Sequence, residues 1–222
     1  MTVFKTPEYI QKMFDKIAEK YDFMNNAMSF GLHKWIKKDC IEILDINPHS
    51  KVLDACTGTG DLAKCIQKSQ PLTEIIGIDF SYNMLDIAEL KNDGIIFEQG
   101  DITNLEFADN SFNFVTMGFG LRNISNPEKA LSEVYRVLKP GGKFLHLDFG
   151  KKNFVSKIFD YIVPITTKIF GGDFDSYSYL IKSKNAFPEP EELIKDFEKS
   201  RFNFVMRKDY LFGIISMQIM KK

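Results

Sequence analysis

The sequence has few cysteines, no dominant charge and no long apolar run. Its three cysteines, Cys40, Cys56 and Cys65, are odd in number and lack C-x-x-C spacing, so we expect reduced thiols. The 29 basic and 30 acidic residues leave no global positive field that would attract nucleic acid. No apolar run approaches ~18 residues, no signal sequence opens the chain, and no His, Cys and Asp set has metal-ligand spacing. These absences predict a soluble, cytoplasmic protein with no metal and no nucleic-acid partner.

The most informative stretch is a glycine-rich turn within Val52–Asp61, between a short apolar run and an amphipathic segment. About twenty residues later, a second apolar run, Ile75–Ile78, ends at Asp79. This is the layout of a nucleotide-binding βαβ unit. Gly58 and Gly60 let the backbone turn sharply and approach a ligand, and Asp79 falls where a carboxylate accepts hydrogen bonds from ribose hydroxyls.

Strand and helix patterns alternate from Lys51 onward, which predicts an α/β fold with a parallel sheet and right-handed crossovers. We expect strands at 51–55, 74–79, 95–99, 113–118 and 143–149, with helices at 60–69, 82–91, 127–138 and 189–199. Two final runs, 202–209 and 213–220, predict a terminal antiparallel hairpin. We expect one domain over 1–222: a helical cap (1–50), a nucleotide-binding core (51–150), an insertion (151–187) and a C-terminal helix and hairpin (188–222).

Turn residues set the limits of the cap and of the insertion. Thr6 and Pro7 predict a helix start, Asn25-Asn26 and Ser29-Phe30-Gly31 predict breaks, and a second helix is expected over Leu32–Leu44. Within the insertion, Pro164 argues against one long straight helix.

The glycine loop by itself leaves the cofactor open. Ala63 stands where a dinucleotide fingerprint has its third glycine, so NAD is an alternative. Asp101, after the third strand, offers an acceptor to an adenine amino group, and the terminal hairpin argues against a six-stranded parallel dinucleotide sheet. Together these features resemble class I S-adenosylmethionine-dependent methyltransferases.

A closer resemblance is carried by longer motifs. Tyr21–Trp35 is similar to the N-terminal signature of the ubiquinone/menaquinone biosynthesis C-methyltransferases, and Arg136–Gly142 to their second signature. Gly118–Asn123 and Asp175–Leu180 match further segments. The resemblance implies a single Rossmann-like domain whose seven-stranded, mostly parallel sheet ends in an antiparallel hairpin, with an N-terminal helical cap.

The resemblance also implies an activity. The expected reaction is C-methylation of a prenylated quinol ring by S-adenosylmethionine, in menaquinone or ubiquinone biosynthesis. The acceptor is demethylmenaquinol or a 2-methoxy-6-polyprenyl-1,4-benzoquinol. The alternatives are a methyltransferase of another lipid or small molecule, a nucleic-acid methyltransferase, a cofactor-binding module without catalysis, and an NAD oxidoreductase.

The cofactor-binding residues implied by the strand ends and the resemblance are Asp54, Gly58, Thr59, Gly60, Asp79, Met84, Asp101, Ile102 and Gly118. Asp54 is expected to orient the loop, to meet the methionine ammonium or to cap a helix. Met84 packs on adenine or belongs to the core. Gly118 stands where relatives often have serine, and Asp101-Ile102 where they often have Asn-Ala.

Three residues are candidates for catalysis. Arg122 would stabilise a phenolate or hold a water that accepts its proton, with a structural salt bridge as the alternative. Asn123 would bond a ring oxygen or cap a turn. Asp148, at the end of the fifth strand, would help as a base.

Other candidates would contact the substrate. His33 is expected as a lid contact or a structural hydrogen bond, and Tyr177 and Tyr179 as loop aromatics over the quinol ring or as packing. His146 lies within a strand and is expected to be a core histidine. The apolar, lysine-bearing stretch 151–170 would hold the prenyl tail and touch a membrane surface, or simply cover the sheet edge. The sequence leaves open whether the protein forms a homodimer.

Overall fold

The computed structural model describes residues 6–170 and 173–222 and forms one seven-stranded sheet flanked by helices. The strands are β1 (Lys51–Ala55), β2 (Glu74–Asp79), β3 (Ile96–Gln99), β4 (Phe112–Gly118), β5 (Leu138–Phe149), β6 (Asn203–Tyr210) and β7 (Ile215–Lys221). The helices are α1 (Pro7–Ser29), α2 (Leu32–Leu44), α3 (Asp61–Ser69), α4 (Tyr82–Lys91), α5 (Pro127–Val137), α6 (Phe154–Phe170), α7 (Phe174–Ala186) and α8 (Pro190–Lys199). Residues 1–5 of the predicted cap and 171–172 of the predicted insertion lie outside the described part.

The sheet has the strand order β3-β2-β1-β4-β5-β7-β6. The first five strands are parallel, whereas β7 pairs antiparallel with β5 and with β6. This confirms the predicted mostly parallel sheet with a terminal hairpin. The strand order reverses between β1 and β4, and in such sheets ligands bind at the carboxyl ends beside that point.

The central strands are buried because helices cover both faces of the sheet. On one face Phe112, Phe144 and Phe197 belong to a core cluster, and on the other Ile36 and Ile66 belong to a second cluster. Burial on both faces explains the continuous apolar runs of β1 and β2, which parallel strands favour. The two cores hold the carboxyl ends of the strands in fixed positions, which is what a site at that edge requires.

Two predicted interruptions were wrong. The helix α1 continues through Asn25 and Asn26 to Ser29, because Met24 and Met28 on either side of them are buried in a cluster with Val163 of α6. The helix α6 runs across Pro164, since α6 packs on α1 and α7 with Val163 fully buried. In both cases tertiary packing outweighs a local helix-breaking signal. In the described part of the chain, no helix has the length and apolarity to cross a bilayer.

Candidate functional site

A cleft opens along the carboxyl edge of the parallel strands and has two adjoining chambers. The first chamber lies at the ends of β2 and β3 and is lined by Asp79, Met84, Asp101 and Ile102. The second lies at the end of β1 and is closed by α1, α2 and α7. The residues common to both chambers are Phe14, Tyr21, Cys56, Gly58, Gly118, Phe119 and Asn123.

Asp54 organises the glycine loop from below. Its buried carboxylate accepts the hydroxyls of Thr57 and Thr116, each at 2.6 Å, and also the backbone N–H of Ala63 in the first turn of α3. Burial raises its pKa to about 6 even though these donors favour the charged form. Asp54 therefore ties the loop to β4 and caps α3, as two of the predicted roles required. It also lines the second chamber.

Asp79 joins the second strand to the loop. Its carboxylate accepts the backbone N–H of Gly58 at 2.8 Å and that of Ser81 at 3.0 Å. Burial raises the pKa of Asp79 above its usual value, which three backbone donors, those of Ser81, Gly58 and Phe80, partly offset. A carboxylate has about four acceptor positions, so these three donors leave about one for a ribose hydroxyl.

The two predicted loop glycines face different surroundings. A Cβ on Gly58 would meet no atom within 4 Å, so the loop presents bare backbone to open cleft space. A Cβ on Gly60 would lie 2.6 Å from the Asn92 amide nitrogen and 3.0 Å from the Phe97 ring. Gly60 is thus required for packing at the start of α3. It is not one of the described residues that line the cleft. Both glycines have positive φ, which favours glycine.

At the far end of the first chamber, Asp101 is exposed and Ile102 and Met84 are buried. One carboxylate oxygen of Asp101 already accepts the N–H and the hydroxyl of Thr103, at 2.8 and 2.9 Å. Met84 packs in a small core cluster with Ile17 of α1, as one of its two predicted roles requires, and also lines the chamber, while its packing on adenine stays a prediction.

Arg122 follows β4 in a short turn and is only 5% exposed. One guanidinium nitrogen donates to the Phe119 carbonyl at 2.5 Å and to the Asp148 carboxylate at 3.0 Å. The guanidinium lies over the ring of Phe149, 5.2 Å from its centre. Arg122 and Asn123 line the second chamber, and each keeps one buried polar atom, Arg122 Nε and Asn123 Oδ1, with no hydrogen-bond partner in the described part of the chain.

Asp148 does not reach the cleft. It is fully buried, and its carboxylate accepts Arg122 and the backbone N–H of Phe149 at 2.8 Å. The described residues that line the two chambers do not include it, so the structure gives no support to Asp148 as a base acting on substrate. His146 is a core histidine as expected, because it is fully buried and bonds Gln218 at 2.8 Å.

His33 lies at the base of the second chamber. Its Nδ1 is 2.6 Å from the Ser29 hydroxyl, and its Nε2 is 3.8 Å from the Asp61 carboxylate. Burial, helped by the charge of Lys37, lowers the pKa of His33 to about 4, so the ring is neutral at pH 7.

Tyr177 and Tyr179 lie on the helix α7, so their predicted position in a loop was wrong. Both side chains are buried and line the second chamber. Burial raises the pKa of Tyr179 to about 12, and its hydroxyl has no hydrogen-bond partner among the described residues. Tyr179 thus lines the chamber and carries a buried hydroxyl without a described partner.

Sequence reasoning missed the contacts that hold α1 over the cleft. Asp22 accepts the Thr59 hydroxyl at 2.6 Å and forms an ion pair with Lys91, while Asp15 accepts the Ser81 hydroxyl at 2.5 Å. These carboxylates lie on an amphipathic helix, and side chains on the polar face of such a helix are usually expected to be exposed to solvent. The sequence carries no signal for contacts that far apart, beyond the fact that Tyr21 and Asp22 belong to the matched signature.

The cleft fits a nucleoside cofactor with a charged tail. Gly58 leaves open space that a side chain would fill, and Asp79 keeps about one acceptor position beside it. Asn123 brings an unsatisfied buried acceptor, and the second chamber holds both carboxylates and a lysine, which suits an amino-acid moiety. The fold and this cleft define a class I S-adenosylmethionine-dependent methyltransferase.

Known proteins agree with that class. The profile of the ubiE/COQ5 methyltransferase family matches residues 1–222. A demethylmenaquinone methyltransferase of Bacillus cereus is 36% identical over 227 residues, 96% of this chain and 94% of the relative. The chain belongs to the ubiE/COQ5 methyltransferase family.

Solved structures share the fold at low identity. A methyltransferase from Thermotoga maritima superposes with a TM-score of 0.71 at 20% identity, over 96% of this chain and 99% of that one. A Haemonchus contortus phosphoethanolamine N-methyltransferase in complex with S-adenosyl-L-methionine gives 0.61 at 18% identity, over 80% of this chain and 49% of that one.

Proposed function

We propose that this protein methylates a ring carbon of demethylmenaquinol, with S-adenosylmethionine as the methyl donor. The observation that carries the proposal is the second chamber, which is lined by apolar side chains and by Arg122, Asn123 and Tyr179, each with one buried polar atom that has no hydrogen-bond partner among the described residues. An aromatic ring with hydroxyl groups needs this combination. The demethylmenaquinone methyltransferase of Bacillus cereus supports the same acceptor through its sequence identity.

The nucleoside end of the cofactor belongs in the first chamber. We assign the ribose hydroxyls to Asp79 and the adenine to the surface formed by Met84, Asp101 and Ile102. Gly58, Thr59 and Gly118 would hold the middle of the molecule, and Gly60 shapes the loop from behind. When bound, S-adenosylmethionine supplies a methyl group already activated by its sulfonium.

The protein's own task is to make the quinol ring more nucleophilic. A ring carbon gains electron density when the neighbouring hydroxyl loses its proton, so a fixed cation beside that oxygen lowers the barrier. Arg122 meets this need because its guanidinium is buried and held by Asp148 and the Phe119 carbonyl. In this assignment the phenolic proton passes to water before methyl transfer. The methylated ring carbon then loses its own proton to water, which restores the aromatic ring, and the phenolic oxygen is protonated again. Asp148 is a positioning residue.

Neighbouring groups would orient the ring. Asn123 Oδ1 would accept from the hydroxyl that is still protonated, and the Tyr179 hydroxyl would donate to a ring oxygen. His33, neutral at the base of the chamber, and Tyr177 on α7 would define its width. The apolar wall that would receive the ring and the start of the prenyl tail includes Met28, Phe119, Phe149, Phe159 and Leu180.

The helix α6 has an exposed surface that suits contact with a membrane. Phe159 lines the second chamber, while Phe154, Ile158, Tyr161 and Ile165 form a stripe that is 42–77% exposed. Exposed Lys152, Lys157 and Lys168 flank this stripe. Amphipathic helices with this pattern lie in anionic lipid surfaces, and a polyprenyl tail resides in the bilayer. We therefore propose peripheral membrane contact through α6.

Membrane contact is tested with sedimentation on vesicles of phosphatidylcholine with phosphatidylglycerol. The wild type is expected to sediment with the vesicles, whereas Phe154→Glu combined with Tyr161→Glu stays in the supernatant. Tyr82→Glu, which changes an exposed tyrosine on α4, serves as the control. A wild-type protein that does not bind the vesicles would exclude this part of the proposal.

The activity is tested by turnover with methyl-labelled S-adenosylmethionine. Demethylmenaquinol and 2-methoxy-6-polyprenyl-1,4-benzoquinol are compared as acceptors, and the methylated carbon is located by NMR. We expect label on the free ring carbon of demethylmenaquinol. If no label is transferred to either quinol, the proposed acceptor is wrong. The proposed methyl donor is tested separately, by measuring the binding of S-adenosylmethionine.

A further inference from the structure

Two cations line the second chamber in the described part of the chain, Lys37 and Arg122. They stand at different places in the fold. Arg122 follows β4 and is held against Asp148, beside the aromatic wall. Lys37 comes from α2 and lies at the glycine loop, where its ammonium is 3.0 Å from the carboxylate of Asp61, the first residue of α3.

Lys37 is unusually enclosed for a surface-helix lysine. Only 12% of its side chain is exposed, compared with 72% for Lys38 next to it in the sequence. An ammonium has three N–H donors, and the bond to Asp61 uses one of them. Enclosing a charge of this kind is costly unless further partners are present. Among the residues that the structure describes, Lys37 thus brings N–H donors without a hydrogen-bond partner to a confined space.

The charge of Lys37 acts on the whole base of the chamber. Burial raises the pKa of Asp61, but Lys37 outweighs burial and holds that pKa below its usual value. Lys37 also opposes the burial-driven rise at Asp54, on the far side of the loop. The methionine portion of the cofactor carries both a carboxylate and an ammonium. Lys37 and the carboxylates of Asp61 and Asp54 line the same chamber, which matches that pair of opposite charges.

We propose that Lys37 binds the α-carboxylate of the methionine moiety. This inference rests on S-adenosylmethionine as cofactor, and not on the quinol acceptor. With the nucleoside end assigned to Asp79, the amino-acid tail crosses the glycine loop toward Lys37. The sulfonium methyl is then left on the side of Arg122, where the acceptor ring would lie. Asp61 and Asp54 line the same chamber and would accept hydrogen bonds from the ammonium group of the methionine moiety.

The test compares S-adenosylmethionine with its decarboxylated analogue, which lacks only the α-carboxylate, by isothermal titration calorimetry. We expect the wild type to prefer S-adenosylmethionine by about 10- to 100-fold, the range of one charge-assisted hydrogen bond. Lys37→Gln and Lys37→Met should remove that preference. They should weaken S-adenosylmethionine binding by the same factor and leave the analogue within about twofold.

The control is Lys38→Gln, since Lys38 is exposed and pairs with Glu42 at 3.5 Å. It should keep both affinities and the preference. Equal wild-type affinities for the two ligands would overturn the proposal without any variant. Equal losses for both ligands in the Lys37 variants would also overturn it, because they indicate a purely structural lysine. No quinol enters these measurements, so a failure of quinol methylation would appear separately, in turnover.

Discussion

Arg122 and Asp148 form a buried ion pair, with 3.0 Å between guanidinium nitrogen and carboxylate oxygen and exposures of 5% and 0%. The pair links the turn after β4 to the end of β5. Asp148 is itself fixed by the backbone N–H of Phe149, and the Phe119 carbonyl holds the same guanidinium nitrogen. A charge fixed in this way needs little reorganisation when a negative oxygen develops beside it, which is the basis of electrostatic catalysis.

Arg122→Ala should lose most turnover and keep the cofactor. Because the guanidinium would face the acceptor ring, we expect kcat to fall by about 10²- to 10³-fold, as when one oxyanion donor is removed. The dissociation constant of S-adenosylmethionine, measured by calorimetry, should stay within about twofold. Arg201→Ala removes an exposed arginine and is the control. Unchanged turnover in Arg122→Ala would exclude the assigned role.

Asp148→Asn should act through Arg122 alone. An amide keeps a hydrogen bond to the guanidinium but removes the charge that fixes it, so kcat is expected to fall by less than in Arg122→Ala. The double variant should then be no slower than Arg122→Ala, because the two residues act as one unit. Single-turnover kinetics on the three variants measures this. Additive losses would mean that Asp148 has its own role.

Gly58→Ala should affect binding more than stability. Its φ of +56° makes any side chain strained by about 1–2 kcal/mol, and the new methyl group would point into the open cleft. We expect S-adenosylmethionine affinity to fall more than about tenfold because that space belongs to the cofactor. Gly141→Ala has a similar φ of +80° and no close neighbour except Lys221 at 3.9 Å, so it should lose comparable stability and no affinity. Urea denaturation and calorimetry separate the two effects.

Asp22→Ala should loosen α1. The variant removes the hydrogen bond to Thr59 and the ion pair with Lys91, so we expect a loss of about 1–2 kcal/mol in unfolding free energy. Hydrogen exchange of the α1 amides should accelerate more than that of β1. Glu19→Ala changes an exposed acid on the same helix and should leave exchange unaltered. Equal exchange in both variants would show that Asp22 does not hold the helix.

His33→Gln should change how stability depends on pH. The folded pKa of about 4 lies below the ordinary 6.5, so the unfolded chain takes up a proton more readily between those values. Acidification from pH 6.5 to 4 therefore destabilises the wild type through His33, by about 1–3 kcal/mol, and this contribution is absent in His33→Gln. Urea midpoints of both proteins across that range measure the difference. Parallel curves would mean that the histidine is not held neutral.

Local signals in the sequence were sufficient for the sheet. The strands β1 and β2 are apolar runs because both faces are buried, and caps such as Asn126, which accepts the Lys129 N–H at 3.0 Å, are short-range contacts. The signals at Asn25-Asn26 and Pro164 misled for the same reason, since each is local and neighbouring helices outweighed it. Secondary structure is predictable where local and tertiary preferences agree.

The sequence predicted only part of the candidate site. Asp54, Gly58 and Asp79 follow from strand ends, because the carboxyl ends of parallel strands meet at one edge. The helices α1 and α2 contribute Asp22 and Lys37, which sequence alone would assign to solvent, and β5 places Asp148 behind Arg122. Their partners Thr59, Asp61 and Arg122 lie 37, 24 and 26 positions away in the chain.

The sequence by itself determined the class of fold, the glycine loop and the family, since each is written in short-range patterns and continuous motifs. Tertiary structure alone decided which side chains face the cleft. It buried Asp148, enclosed Lys37 and placed Tyr179 on a helix wall. The physical reason is that exposure and charge pairing depend on what packs from other elements, and side-chain periodicity along one element does not contain that information.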